Sequence, residues 1–339
     1  MYDKVILTNL PSFYKINLYN RFSEYERILV LYTGDTAEER NKDFFSGTMQ
    51  FDHLYFSQNK LLQLAQLLRI FVTCDYRELI IGGWDSVTMW EAALISSKSR
   101  KSLVIESTDY ESTMTGIKKI LKTFFLSRFS KVYASGKAQK RLAERLGFRG
   151  QILITKGVGI FNYIEQPLFE TRSEVRSFIF VGRLVPVKNL KLLIDVFNKM
   201  PEKQLTIVGF GEQEEFLKSM AKENIAFMGA VDNNRLPQIY QQHDVFILPS
   251  ISEVWGLVVE EALNNGLPVL LSNRVGCVEE IVIDGENGLI FRYDDPDDLI
   301  QKIRQISNVE LYNRMRLNIS QMIFGQIERE QVKCYCPNA

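Results

Sequence analysis

Along the chain, short runs of β-branched and other apolar residues alternate with stretches whose apolar positions recur every three to four residues. The first pattern suits a buried parallel strand, the second a helix packed on one face. In the first half, runs at 4–8, 28–32, 79–81, 103–106, 132–134 and 152–154 predict strands. In the second half the runs fall at 177–181, 205–208, 225–227, 245–248 and 268–271. Between them, the clearest helical stretch sets Leu61, Leu64, Leu67, Leu68, Phe71 and Val72 on one face. Alternation of this kind from end to end predicts parallel sheets with helical crossovers. Periodicity lapses over 157–176, where Pro167 stands, and this marks a linker. The expected organisation is a Rossmann-like domain over 1–160, a linker over 161–176, and a second Rossmann-like domain over 177–310. A helical segment over 311–339 is expected to pack back towards the first domain.

Length agrees with two domains, because 339 residues exceed what one ordinary core organises. Apolar residues at 46% and aromatics at 12% give each half enough to bury. The formal charge is zero, yet residues 98–156 hold 14 Lys/Arg against 4 acids, so that block is strongly positive and suited to an anionic contact. Four cysteines make no disulfide framework for a chain this long, and Cys334 with Cys336 has no second pair to complete a zinc site. Two histidines leave little for a metal cluster or a histidine-based triad. The apolar run that precedes Pro11 is far short of a signal peptide core, and no 18-residue apolar window occurs. A cytoplasmic location is expected, with peripheral contact at the inner face of the cytoplasmic membrane. No nucleic-acid partner is expected.

Open parallel sheets bind ligands outside the carboxyl ends of their strands. After the run FIFVG come Arg183 and, five residues on, Lys188, beside a helix expected to start near Asn189. Two cations and a helix N-terminus suit a diphosphate, although two solvated cations on a loop fit the spacing as well. LTIVGFGE places Gly209 and Gly211 after a strand, but Glu214 stands where a third glycine would complete a dinucleotide fingerprint. A tight strand–helix turn explains the pair equally well. In SEVWGLVVEEAL, Glu253 and Glu261 are separated by seven residues, with Gly256 between them and a helix expected from Leu257. Carboxylates accept hydrogen bonds from sugar and ribose hydroxyls without having to donate. A helix-end charge and a surface glutamate are the plainer alternative. Asp294–Asp298 mimics a metal-binding aspartate pair, but Pro296 and the acids suit the first turn of a helix, so capping is expected and no metal.

VGRLVPVKN, LTIVGFGE, HDVFILPS, the paired glutamates with WGLVVEEAL, GCVEEIV and DGENGLIF occur in this order. Together they resemble the donor half of the retaining family-four glycosyltransferases (glycosyl transferases group 1) of the bacterial surface-polysaccharide type, closely over about 177–305 and loosely before. The resemblance implies the α/β fold called GT-B, two doubly wound parallel-sheet domains facing across a cleft. It implies an acceptor-binding first domain and a donor-binding second domain that takes a nucleotide-diphosphate sugar, UDP-linked in preference to GDP-linked. Arg183 and Lys188 match the basic pair on the donor diphosphate, and Glu253 the residue that holds hydroxyls of the transferred sugar. These three are the expected catalytic group. Glu261 matches the residue on the ribose, Gly256 and Leu257 the backbone contacts to the diphosphate. Gly182 and Gly209 line the same side, and Gly229 and Val231 the base. No cofactor is implied, the donor being a substrate. The acceptor is expected to be a lipid-linked saccharide of O-antigen or capsule assembly.

The first half departs from the family pattern. VIESTDY stands where many members place a histidine beside the transferred sugar, so Glu106 and Asp109 become candidates for acceptor or sugar contact, with a helix cap at 107–109 as the alternative. Trp84, after the run LII, could stack on a sugar or serve the core. Over 114–129, lysines interleave with Ile117, Ile120, Leu121 and Phe124, a combination that suits an anionic membrane or an ordinary helix with a solvated basic face. Two rivals to a transferase remain: a non-catalytic nucleotide-sugar-binding subunit and, more remotely, a nucleotide-sugar epimerase.

Overall fold

The computed structural model describes residues 1–34, 42–112, 114–167 and 169–339. They divide into a first unit, Met1–Phe161 with Gln326–Ala339, and a second unit, Asn162–Gly325. The chain runs β1 (Tyr2–Thr8), α1 (Phe13–Ser23), β2 (Ile28–Tyr32), β3 (Asp52–Tyr55), α2 (Lys60–Thr73), β4 (Tyr76–Ile81) and α3 (Val87–Ile95). It continues through β5 (Lys101–Ile105), α4 (Gly116–Ser127), β6 (Lys131–Ala134), α5 (Lys137–Arg145) and β7 (Gln151–Ile154). The second unit opens with β8 (Ser177–Val181), α6 (Leu190–Phe197), β9 (Gln204–Val208), α7 (Glu214–Met220), β10 (Ile225–Gly229) and α8 (Leu236–Gln241). Then come β11 (Val245–Leu248), α9 (Leu257–Asn264), β12 (Val269–Ser272), α10 (Val278–Ile281) and β13 (Gly288–Phe291). The helices α11 (Pro296–Ile306), α12 (Val309–Ser320) and α13 (Phe324–Tyr335) finish the chain.

In the first unit the seven strands stand in the order β3-β2-β1-β4-β5-β6-β7, all neighbours parallel. Val5, Leu7, Leu79, Leu103 and Val132 of the central strands are fully buried in one core with Leu67 of α2, Ala92 of α3, Phe125 of α4 and Leu142 of α5. Those four helices therefore share one face of the sheet, as right-handed crossovers in one direction require. Phe22 of α1 and Tyr133 of β6 both pack on Tyr335 of α13, with ring centroids 4.9 Å and 4.3 Å away. From Gln326 onward, then, the last helix belongs to the first unit, while α12 belongs to the second.

The second sheet has the order β10-β9-β8-β11-β12-β13, again all parallel. Two of its linker residues are clamped by asparagines: Asn264 bonds both backbone groups of Ile164, and Asn313 both of Arg172. Two strands go beyond the sequence expectation. β3 is an edge strand, DHLY, short and mostly exposed, so it lacks an apolar signature. β13, GLIF, begins with a glycine and is too short to read by pattern. The helix expected over 114–129 spans Gly116–Ser127, seven residues past Asp109, so residues 107–109 do not cap it. Asp295 does cap α11, its side chain accepting from the N–H groups of Asp297 and Asp298 with Pro296 in the first turn. No described helix is long and apolar enough to cross a membrane.

Gly209 shows why a strand end here requires glycine. A Cβ on it would lie 1.9 Å from the carbonyl oxygen of Gly182, and its φ is +135°. Its N–H donates to the Gly229 carbonyl at 2.8 Å, and the Gly182 N–H to the Val208 carbonyl at 3.0 Å. These glycines carry the ladder past the strand ends, so the GxG pair serves backbone packing directly. Gly209→Ala is expected to cost about 3 kcal/mol through clash and strained φ. A fall in the urea midpoint of the second unit checks this.

Candidate functional site

In the second sheet the strand order reverses between β8 and β11, and a crevice at such a switch point is where open parallel sheets take ligands. The two strands pair with each other only at Val245 with Phe178 and Phe246 with Ile179, so beyond those residues their carboxyl ends pair only with their outer neighbours, β9 and β12. The loops that follow carry the basic pair and the first glutamate. They are tied together, since the Ile251 N–H donates to the Val187 carbonyl at 2.9 Å. A 3-10 turn, Pro186–Lys188, ends at Asn189, whose φ of 57° is left-handed and whose side chain donates to the Tyr293 carbonyl at 2.9 Å. These restraints bring Lys188 to Glu253, and the ammonium and carboxylate form an ion pair, the side chains 14% and 16% exposed. Glu253 is itself braced: its N–H donates to the Arg274 carbonyl at 3.0 Å and its carbonyl accepts from Gly276 at 2.9 Å. Arg183 lies partly buried in the same loop as Lys188.

Gly256, with φ +95°, turns the chain into α9, whose first residue is Leu257. A side chain there would press on Val275 and on Glu253 itself. In α9 the two adjacent glutamates differ in kind. Glu261 is partly exposed, accepts from the Tyr240 hydroxyl at 3.3 Å, and is pushed up to about 7 by desolvation. Glu260 is buried, accepts from the Trp255 indole N–H at 2.6 Å, and is pushed up to about 8 by desolvation. A surface glutamate, the plainer alternative in this helix, does not describe Glu260: the first turn of α9 faces it inward against Trp255. Being protonated when folded and ionised when unfolded near neutrality, Glu260 costs stability as pH rises from about 4.5 to 8. Glu260→Gln keeps an acceptor for the indole and is expected to gain about 2 kcal/mol above pH 8 and nothing near pH 4. Thermal melts across that range check it. Gly229 ends β10 with φ +71°, and Val231 follows partly exposed.

The first unit holds a cavity of about 180 Å³ at its own switch point, between the ends of β1 and β4. Thr8, Asn9 and Ser12 form one wall and Gly82 with Asp85 the other. Glu106 reaches it and is ion-paired with Lys15, whose protonated form is favoured by that carboxylate against the cost of burial. Asp85 stands at the exposed rim, its pKa raised by desolvation and then by Glu106. Ser12 Oγ is buried in the wall with no hydrogen-bond partner among the described residues. Neither Asp109 nor Trp84 lines the cavity. Asp109 pairs with Arg145 at 2.9 Å, and Trp84 packs on the core with Lys122 Nζ 5.4 Å above its ring. Asp85, Lys15 and Ser12 were beyond the sequence reading, although PSFYK and GGWD flank the strands whose ends they occupy. Among the described residues no group of metal-ligating side chains converges.

The arrangement offers two polar sites, each at a reversal of strand order. A family model described as glycosyl transferases group 1 matches residues 166–322. The O-antigen biosynthesis glycosyltransferase WbnH of Escherichia coli is 34% identical over 186 residues, 54% of this chain and 52% of that protein. Across eight of the curated relatives it matches, the chain covers from 30% to 59% of their length. Among solved structures, the lipopolysaccharide outer core galactosyltransferase WaaB, apo form, aligns with TM-score 0.72 at 14% identity over 99% of both chains. Anabaena Alr3699/HepE in complex with UDP and glucose aligns with TM-score 0.69 at 16% identity over 96% of this chain and 97% of that one. The fold is GT-B.

Proposed function

We propose that the chain, whose residues 166–322 match the family model described as glycosyl transferases group 1, moves a sugar from a nucleotide-diphosphate sugar to a hydroxyl acceptor, with retained anomeric configuration. The observation that carries this reading is the Lys188–Glu253 ion pair at the β8/β11 reversal, where a cation for phosphate and a carboxylate for hydroxyls meet. In the reaction the bond from the anomeric carbon to the diphosphate oxygen breaks and the electron pair leaves with the diphosphate. Arg183 and Lys188 hold that growing charge in place, which is worth most in the transition state. The acceptor oxygen forms the new bond on the same face, and its proton passes to the departing phosphate oxygen. Glu253 holds sugar hydroxyls and Glu261 the ribose diol, and no metal is required.

The names of relatives such as WbnH favour a lipid-linked saccharide of surface-polysaccharide assembly as acceptor, and a UDP-sugar as donor is supported by the UDP-bound HepE likeness. The first-unit cavity, with Asp85 and the buried Ser12 hydroxyl, suits a polyhydroxylated group. A panel of UDP-, GDP- and ADP-sugars tests the donor by thermal stabilisation, and label transfer to membrane lipid extracts tests the reaction. Hydrolysis of the donor at equal rate with and without extract would sink the transferase reading.

Glu261 makes nucleotide binding depend on pH. The ribose diol donates to a carboxylate, so binding favours the ionised form and releases a proton when the free group is pushed up to about 7. Affinity is expected to fall as pH drops through about 7 and to level off above it. Calorimetry with UDP in buffers of different ionisation enthalpy reads the proton release, and Glu261→Gln should abolish its share.

A further inference from the structure

Three helices on one face of the first sheet each turn an apolar stripe outward. On α2, Leu61 and Val72 lie three turns apart on the outer side, 81% and 86% exposed. On α4, Ile117 and Ile120 are 74% and 67% exposed, and Phe124 continues the stripe a turn later. Between these helices sits α3, which contacts α2 directly and joins α4 through Trp90 and Phe125, with ring centroids 4.6 Å apart; its outer residue Leu94 is exposed. The three helices are therefore neighbours, and their outward residues lie on the same side of the sheet. Scattered exposed apolar residues are ordinary, but a patch across three neighbouring helices calls for something to cover it.

Charge identifies what that is. Within α2, α3, the 3-10 turn Lys98–Arg100 and α4 there are seven basic residues and one acid, Glu91. Lys118 and Lys119 alternate with the exposed isoleucines of α4, and Lys60 and Arg69 flank the stripe of α2. A second copy of this chain would set the same basic surface against itself across a two-fold axis, which repulsion disfavours. A sheet of anionic headgroups over acyl chains satisfies both features, accepting the apolar stripes beneath and the lysines at the headgroup level. We propose that the outer face of α2, α3 and α4 seats the first unit on an anionic lipid surface. The proposal is independent of the transfer chemistry, and its test needs no substrate.

The test is sedimentation of the full chain with vesicles of phosphatidylcholine alone or mixed with phosphatidylglycerol. Binding to the anionic vesicles should be at least about tenfold tighter and should weaken severalfold in high salt, as several lysines near a charged surface require. Leu61→Glu on α2 and Ile120→Glu on α4 each place a charge on the outer side and should each weaken binding about tenfold. Both positions are exposed, so far-UV dichroism and melting temperature should stay at wild-type values. A readout without substitution comes from lipids brominated on their chains, which should quench the emission of Trp84 and Trp90 beside the patch. Equal, salt-independent binding to neutral and anionic vesicles overturns the proposal. So does wild-type binding by folded Leu61→Glu, which would remove α2 from the surface. Concentration-dependent self-association abolished by both variants, with no vesicle binding, would assign the face to a second copy instead.

Discussion

Lys188→Ala is expected to lower kcat about a hundredfold or more at saturating donor, the scale of losing one preorganised donor to a developing anion. The diphosphate carries most charge once the sugar has begun to leave, so the loss belongs in kcat and not merely in KM. The ion pair adds a second consequence. Without its cation, the mostly buried Glu253 carboxylate loses its ionic partner, and part of the effect should appear as lost stability. Lys188→Arg should rescue only in part, because a planar fork does not occupy the place of a point charge. Single-turnover kinetics on variants shown to be folded by circular dichroism measure the chemical step. A folded Lys188→Ala protein with wild-type kcat, chemistry being rate-limiting, would remove this lysine from the mechanism.

Glu253→Gln is expected to cut sugar transfer about tenfold to a hundredfold, the worth of a charged hydrogen bond made to the sugar. Affinity for the bare nucleoside diphosphate should move the other way. The carboxylate competes with the diphosphate for Lys188 in the unliganded protein, so its neutralisation frees that cation, and UDP should bind as well as before or severalfold more tightly. Calorimetry with UDP decides. A marked loss of UDP affinity in Glu253→Gln would show that the carboxylate positions Lys188 for phosphate and does not simply compete for it. The double variant with Lys188→Ala then gives the coupling between the two.

Much of the alternating architecture is legible in the sequence because its central strands are buried on both faces and read as unbroken apolar runs. β3 escapes for the opposite reason, being an exposed edge, and β13 because its four residues begin with a glycine and leave only three apolar positions. Arg183, Lys188, Glu253 and Glu261 can be singled out from motif order, but nothing in their spacing shows that Lys188 and Glu253, 65 residues apart, touch. That contact depends on β8 and β11 being neighbours, a long-range property of sheet order. In the first unit the same cause hides Asp85. It shares a cavity with Ser12 and Lys15 only because β1 and β4 are adjacent, whereas Asp109, closer to Glu106 in sequence, is drawn away by Arg145.

The return of Gln326–Ala339 to the first unit has a consequence for the order in which the molecule is made. The second unit is one continuous stretch of chain and has all its parts once residue 325 has been made. The first unit, begun earlier, lacks until then the helix that supplies Tyr335 against Tyr133 and Glu328 against Arg21. At about 5–20 residues per second, synthesis of the intervening unit takes roughly ten to thirty seconds. Through that interval the part of the sheet around Tyr133 waits without the helix that covers it, within reach of a chaperone. The half of the protein translated first is thus the half that closes last.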